Sequence, residues 1–301
     1  MTEPPLGDPT IPVRGSTEKL VRPFPRTSAV VTTYDARHAL ADPAAFVRNA
    51  WRDLVRSLAI SWALHRAGFG SRRRAALFGW LWLIVPPFIA AATCLYFQSR
   101  RVLNGGETQL PYALHVFVGV VVWQLLVDAL QSPMQQIRGA RQVVTRSMLP
   151  HEALLLAGLW DVLLSAAIRL PLIVGAALVS GVHPGWSVLL IPAGLAAVIG
   201  FGFALGLLIA PLGLLFDDVQ RATFLATGLW FILTPVMYSA LPSPRFWLNP
   251  LTPLLETTRG WLLAPAIAPG FWIVLGASAL LLPIAWLAYR MARPHLVETL
   301  G

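Results

Sequence analysis

Between Leu170 and Phe216 the chain runs for 47 residues without Asp, Glu, Lys or Arg, and a second such run covers the 25 residues from Ala75 to Ser99. A helix needs only about 20 apolar residues to cross the hydrocarbon core of a bilayer. Inside that core each segment must satisfy its own backbone hydrogen bonds, which a helix does. Of the 301 residues, 56% are hydrophobic and 12% are charged, against about 25% charged in soluble domains. The mean hydropathy is +0.65. A water-soluble fold has no interior large enough to hide such runs, so the chain is read as an all-α integral membrane protein.

Turn and charge signals divide it into six spans. Residues 1–43 carry seven prolines among small and charged residues, a mix that buries little and is expected to form a flexible leader. In residues 44–74, Phe46, Leu54, Leu58, Ile60 and Trp62 alternate with Arg48, Arg52, Asp53 and Arg56, and Arg72, Arg73 and Arg74 close the segment. That pattern predicts an amphipathic helix at the membrane interface, or else one packed on the rest of the chain. The six-span domain covers 75–290. Its spans are expected at 75–99, 111–127 with Asp128 at the exit, 153–179, 186–215, 222–238 and 271–289. The run Ser180-Gly181-Val182-His183-Pro184-Gly185 separates the third from the fourth. Residues 131–152 read as a polar, basic connection and Asp217 to Arg221 as a tight loop. Residues 239–270 hold six prolines and apolar stretches too short to cross, so a broken hairpin dipping into one leaflet is expected there. Residues 291–301 form a tail.

Basic residues orient the bundle. With the amino terminus in the cytosol, that side holds 18 Arg and Lys and the other side 4, which places both termini in the cytosol of an inner-membrane protein. The net charge of +9 flanks apolar runs and is not gathered on a polar domain with aromatic platforms, so nucleic acid is not an expected partner. Cys94 is a single cysteine inside an apolar run, read as a small packed hydrophobe. The first apolar run starts far from the amino end, so no cleavable signal is expected and the first span serves for targeting.

No GxxxxGK[ST], HExxH, CxxC or GxSxG occurs in the sequence, so the chain is not expected to hydrolyse ATP or to be a hydrolase of a familiar kind. Energy for transport must then come from a partner or an ion gradient. Asp161 and Arg169 lie within the third span, where ionisable groups are costly and are functional candidates by default. They are separated by about 12 Å along a helix and ~80° around it. They therefore need other partners, either in structural bridges to neighbouring spans or along a water-filled path. Pro250 and Pro253 break helices in the hairpin, and Glu256 and Arg259, three apart, are spaced to pair across one turn. Trp230, Phe231, Tyr238, Phe246, Trp247 and Trp261 cluster around that hairpin. They read either as an interfacial aromatic belt or as stacking surfaces for sugar rings.

Four connections together resemble the permease of polysaccharide-type ABC exporters, the type-2 family, over roughly residues 46–298. Arg74, Ala76, Phe78, Gly79, Trp82 and Pro87 follow a pattern like R-x-S-x-L-G-x-x-W-x-x-x-x-P, with Ala76 and Phe78 as departures. The stretch from Val143 to Glu152, ending Pro150-His151-Glu152, is similar to a coupling helix that ends in Pro-Arg-Glu, with His151 in place of Arg. Asp218-Val219 sits where the family has an R-D-V turn. Thr234-Pro235-Val236-Met237-Tyr238, then Asn249-Pro250-Leu251-Thr252-Pro253 with Glu256 and Arg259, resembles S-P-V-x-Y and N-P-L-x-P-x-x-E-x-x-R.

The resemblance implies a homodimeric permease without an ATP site of its own. It would pair with a separate ABC ATPase subunit that binds the ATP, and move a lipid-linked glycan outward, in contact with membrane lipids. It assigns ATPase coupling to Arg141, Arg146, Pro150, His151, Glu152 and Asp218, and an outer gate to Tyr238, Asn249, Pro250, Pro253, Glu256 and Arg259. No catalytic, cofactor or metal residue is implied. A drug, peptide or small lipid is the alternative cargo. A membrane-embedded glycosyltransferase is the reading from another class, with Asp217 and Asp218 as its acidic pair.

Overall fold

A computed structural model describes residues 43–75, 81–100, 108–139, 150–239 and 248–300. The leader, apart from Pro43, lies outside these residues, as do Arg141 and Arg146. Among the described residues the chain forms eight α-helices: α1 (Pro43–Ala75), α2 (Leu81–Ser99), α3 (Tyr112–Gly139), α4 (His151–Val179), α5 (Ile191–Leu215), α6 (Asp217–Leu233), α7 (Leu251–Gly260) and α8 (Phe271–Leu300). A 3-10 turn, Trp186–Leu190, leads into α5. Four segments are long and apolar enough to cross a membrane: Tyr112–Gly139, His151–Val179, Trp186–Leu215 and Phe271–Ala292. The chain is therefore an integral, multi-pass helical membrane protein. The other two apolar helices, α2 and α6, have 19 and 17 residues.

The centre of the bundle is α3 against α5, with α8 on another side of α5, α4 beside α3, α1 along α4, and α2 on α3. Lipid tails are as apolar as leucine, so close van der Waals packing, and not escape from water, must hold two such helices together. The sequence supplies it through Gly202 and Gly206 of α5. A Cβ at Gly202 would lie 2.8 Å from the Leu126 carbonyl oxygen of α3, and one at Gly206 would collide with the carbonyl of Leu130. This small-xxx-small spacing lets the backbones approach and buries Val118, Val121, Leu125, Leu126, Ile191, Val198 and Leu207 completely or nearly so.

Four boundaries differ from those expected. The helix of the second span does not end at Asp128, whose carboxylate pairs with Arg169 of α4 at 2.8 Å. The helix instead runs on to Gly139, through residues expected to belong to a connection. Asp217 and Asp218 are not a loop but the first turn of α6, where acidic side chains favour the positive end of the helix dipole. The same helix stops at Leu233, short of the expected 238, ahead of Pro235. At the other end of the chain, α8 continues as helix to Leu300 through the expected tail. The predicted break between the third and fourth spans is present, with Gly181 at φ 75°, a conformation suited to glycine.

Candidate functional site

Buried ion pairs and hydrogen-bonded side chains gather at both ends of the bundle. At the end where α3 finishes and α4 begins, Pro150 caps α4 in an extended conformation (φ −63°, ψ 128°), and the next two residues turn inward. His151 and Glu152 are both buried. His151 Nδ1 is 3.3 Å from the Tyr289 hydroxyl, and Arg290 Nη1 donates to Glu152 Oε1 at 3.3 Å. The second arm of Arg290 donates to the Asp53 carboxylate of α1, and its guanidinium lies 5.6 Å from the Phe46 ring centre. One buried arginine thus ties the amphipathic helix, the start of α4 and α8 together. Burying Arg290 and Glu152 is tolerable only because each has an opposite partner within hydrogen-bond reach, with the half-buried Asp53 as the third charge. Sequence patterns drew attention to Glu152 but not to its partners, since Asp53 and Arg290 lie 99 and 138 residues away from it.

Asp218, placed with the coupling residues by resemblance, is exposed and pairs with Arg221 at 3.0 Å. Asp217 pairs with Arg138 at 3.1 Å. Arg138 also donates to the Gly213 carbonyl and to Gln220 Oε1, locking the end of α3 to the α5–α6 turn.

Asp161 and Arg169 do not meet each other. Asp161 accepts from Gln136 Nε2 at 2.8 Å and lies 2.7 Å from Nδ1 of the buried His65 of α1. Next to it, Trp160 Nε1 donates to Ser61 at 3.2 Å. Helix α1 is therefore pinned to α4 around Ser61 and His65 by polar contacts as well as by packing. Arg169 reaches α3, where Asp128 also accepts a long hydrogen bond of 3.4 Å from Ser165.

At the opposite end the broken hairpin is built around α7. Pro235 halts α6 and leaves carbonyls without helical partners. Arg259 supplies the missing donors: Nη1 to Pro235 O at 3.3 Å and Nη2 to Val236 O at 3.1 Å. Nη1 also meets Glu256 Oε1 at 2.9 Å, forming the pair expected from their spacing. Gly119 of α3 makes room for this guanidinium, because a Cβ there would collide with it. Burial lowers the Arg259 guanidinium to about 10 against the opposing effect of Glu256, and burial raises the Glu256 carboxyl against the opposing effect of Arg259.

Asn249 ties the hairpin to α6. Its Oδ1 accepts from Trp230 Nε1 at 3.0 Å and from the Leu251 amide at 3.1 Å, while Nδ2 donates to Thr234 Oγ1 at 2.9 Å. Pro250 occupies the cap of α7, Pro253 lies in its first turn, and the Tyr238 hydroxyl donates to Ile232 O at 3.1 Å. His115, Glu256 and Arg259 line a cavity of about 330 Å³. The aromatic side chains divide: Trp230 and Phe231 stack edge-on with Trp123, whereas Trp261 packs on Phe271.

No family model matches the chain. It is similar to the O-antigen export system permease protein RfbA of Myxococcus xanthus, with 24% identity over 168 residues. That segment is 56% of this chain and 64% of the relative, so the match spans less than two thirds of that protein. The likeness to a permease, with a helical bundle whose ends are fixed by buried ion pairs, agrees with the resemblance drawn from the four connections. The chain is a multi-pass helical membrane protein that is similar, over part of its length, to an O-antigen export system permease protein.

Proposed function

We propose that the chain is the membrane permease of an ABC exporter that moves a lipid-linked polysaccharide outward across the bacterial inner membrane, as a homodimer joined to a separate ATPase subunit. In this reading α2, α3, α4, α5, α6 and α8 are the six spans. Helix α1 lies at the cytosolic interface, both termini are cytosolic, and α7 belongs to the outer hairpin. At about 26 Å for 17 residues and 28 Å for 19, α6 and α2 nearly match a hydrocarbon core of about 30 Å.

The observation that carries the proposal is the buried junction of Asp53, Glu152 and Arg290. The connection between α3 and α4, residues 140–149, enters α4 through Pro150, His151 and Glu152. Force applied there by an ATPase would pass through Arg290 into α8 and through Asp53 into α1. Arg141 and Arg146 contact the ATPase in this account. Glu152 and His151 face inward and act as positioning residues.

The test separates the two roles. Arg146→Ala is expected to leave insertion and thermal stability unchanged while ATP hydrolysis by the complex no longer drives export. Unchanged export in that variant would contradict the coupling role of the connection.

A further inference from the structure

Helix α1 has three faces, and one of them meets the rest of the chain. Ala50, Ser57, Ser61 and His65 share that side and are buried, with Ser61 and His65 bonded to Trp160 and Asp161 of α4. At about 100° per residue, Val47, Trp51, Val55, Leu58 and Trp62 fall on a second stripe, centred about 80° from the first. These five are 44% to 63% exposed. Arg48, Arg52, Arg56 and Arg66 lie on a third stripe, roughly opposite the packed side, and all four are exposed.

A helix that packs on its own chain in water buries its apolar stripe and shows its polar one. Here the packed side carries two serines and a histidine, whereas the apolar stripe with both tryptophans of the helix stays outside. Trp62 stacks on His65 and meets Trp160 edge-on, with ring centres 5.4 and 5.2 Å apart, and still leaves nearly half of its surface open. The charges are as unbalanced as the stripe. None of the four arginines has an ion-pair partner among the described residues, and the one acid of the helix, Asp53, is taken by Arg290.

An acidic protein surface would neutralise the arginines but leave an apolar row about 22 Å long in water, and a neutral leaflet would cover the row but leave the arginines unpaired. An anionic leaflet satisfies both. The row enters the acyl boundary, where tryptophan rings settle at headgroup depth, and headgroup phosphates accept paired hydrogen bonds from guanidinium groups. We propose that α1 docks on the anionic phospholipids of the leaflet beneath it and concentrates them around Arg48, Arg52, Arg56 and Arg66. The preference for anionic lipid rests on the reading of α1 as a cytosolic interface helix, and the cargo does not enter it. Because Asp53 of the same helix reaches Arg290, a leaflet that holds α1 also steadies that junction.

The test reads which lipid lies next to the helix. With the single cysteine removed by Cys94→Ala, Val55→Cys is labelled with an environment-sensitive fluorophore and the full chain is reconstituted in vesicles of phosphatidylcholine and phosphatidylglycerol. A nitroxide on the upper acyl chain is carried in turn by each lipid at equal mole fraction. Stronger quenching by the anionic carrier is expected, with a local preference on the order of fivefold, the amount that one basic residue near an anionic surface contributes. Ile284→Cys, on the exposed face of α8, is expected to be quenched equally by both. Changing Arg48, Arg52, Arg56 and Arg66 together to Gln is expected to bring the Val55 position to the same equality. Val47→Cys carries this arm should Val55→Cys fail to fold.

Equal quenching by the two lipids with the native arginines would overturn the anionic preference. Quenching by aqueous iodide and by neither lipid would overturn docking on a membrane altogether and leave the stripe to another protein. An unchanged preference in the combined arginine variant would take these side chains out of the lipid site. None of these outcomes bears on ATP hydrolysis or export, which Arg146→Ala tests separately.

Discussion

Arg290 shows why single residues matter more than their exposure suggests. It is almost wholly buried and neutralises two carboxylates from different helices. Replacing it with Ala would remove the guanidinium from the buried Glu152 and the half-buried Asp53, with an expected loss of up to roughly 3–5 kcal/mol, read as a large drop in thermal stability in detergent. Exchanging the charges of the Glu152 pair, Arg290→Glu with Glu152→Arg, is expected to recover less than the wild type, because Asp53 would then face a like charge. Full recovery would mean that Asp53 contributes little. Glu256 predicts a pH effect. Its raised value means that the folded state holds the proton more tightly than the unfolded state, so its contribution to stability is greatest below the ordinary carboxylate range and falls as pH rises through the raised value. Thermal unfolding followed across the acidic range is expected to lose part of this downward slope in Glu256→Gln.

At the scale of elements, α5 is the part whose packing the sequence states most directly. Gly206→Leu would place a branched side chain against the α3 backbone at Leu130. Overpacking usually costs about 1–3 kcal/mol, and here the obstacle is backbone with little freedom to move. Size-exclusion profiles of the detergent-solubilised variant are expected to shift to aggregate, whereas Gly175→Leu, which meets open space, is expected to elute as the wild type does. Apolar length and proline placement make the spans and the broken hairpin legible in the sequence itself. The end of α3 is not legible there, because Asp128 looks like a boundary when read locally and becomes ordinary helix interior only once Arg169 reaches it. The start of α6 is misplaced for a similar reason. A pair of acids suits a loop or a helix amino terminus equally well, and only the fold distinguishes them. The Glu256–Arg259 pair is legible because its members are three apart, whereas the Arg290 junction joins residues 237 positions apart at its extremes.

At the scale of the whole molecule, the described helices form one bundle whose two ends are fastened differently. Arg290 and the His65–Asp161 contact fix the end where the basic connection enters, and Arg259 with Asn249 fixes the broken hairpin at the other. This arrangement suits a machine driven from one end and opened at the other, the role proposed for a permease powered by a separate ATPase. The most direct test purifies the chain from its native membranes and measures vanadate-sensitive ATP hydrolysis across the elution profile. The account predicts hydrolysis that co-elutes with the chain and a second subunit present in equal amount. A chain that elutes alone, carries no hydrolysis and still supports export of surface polysaccharide would contradict it.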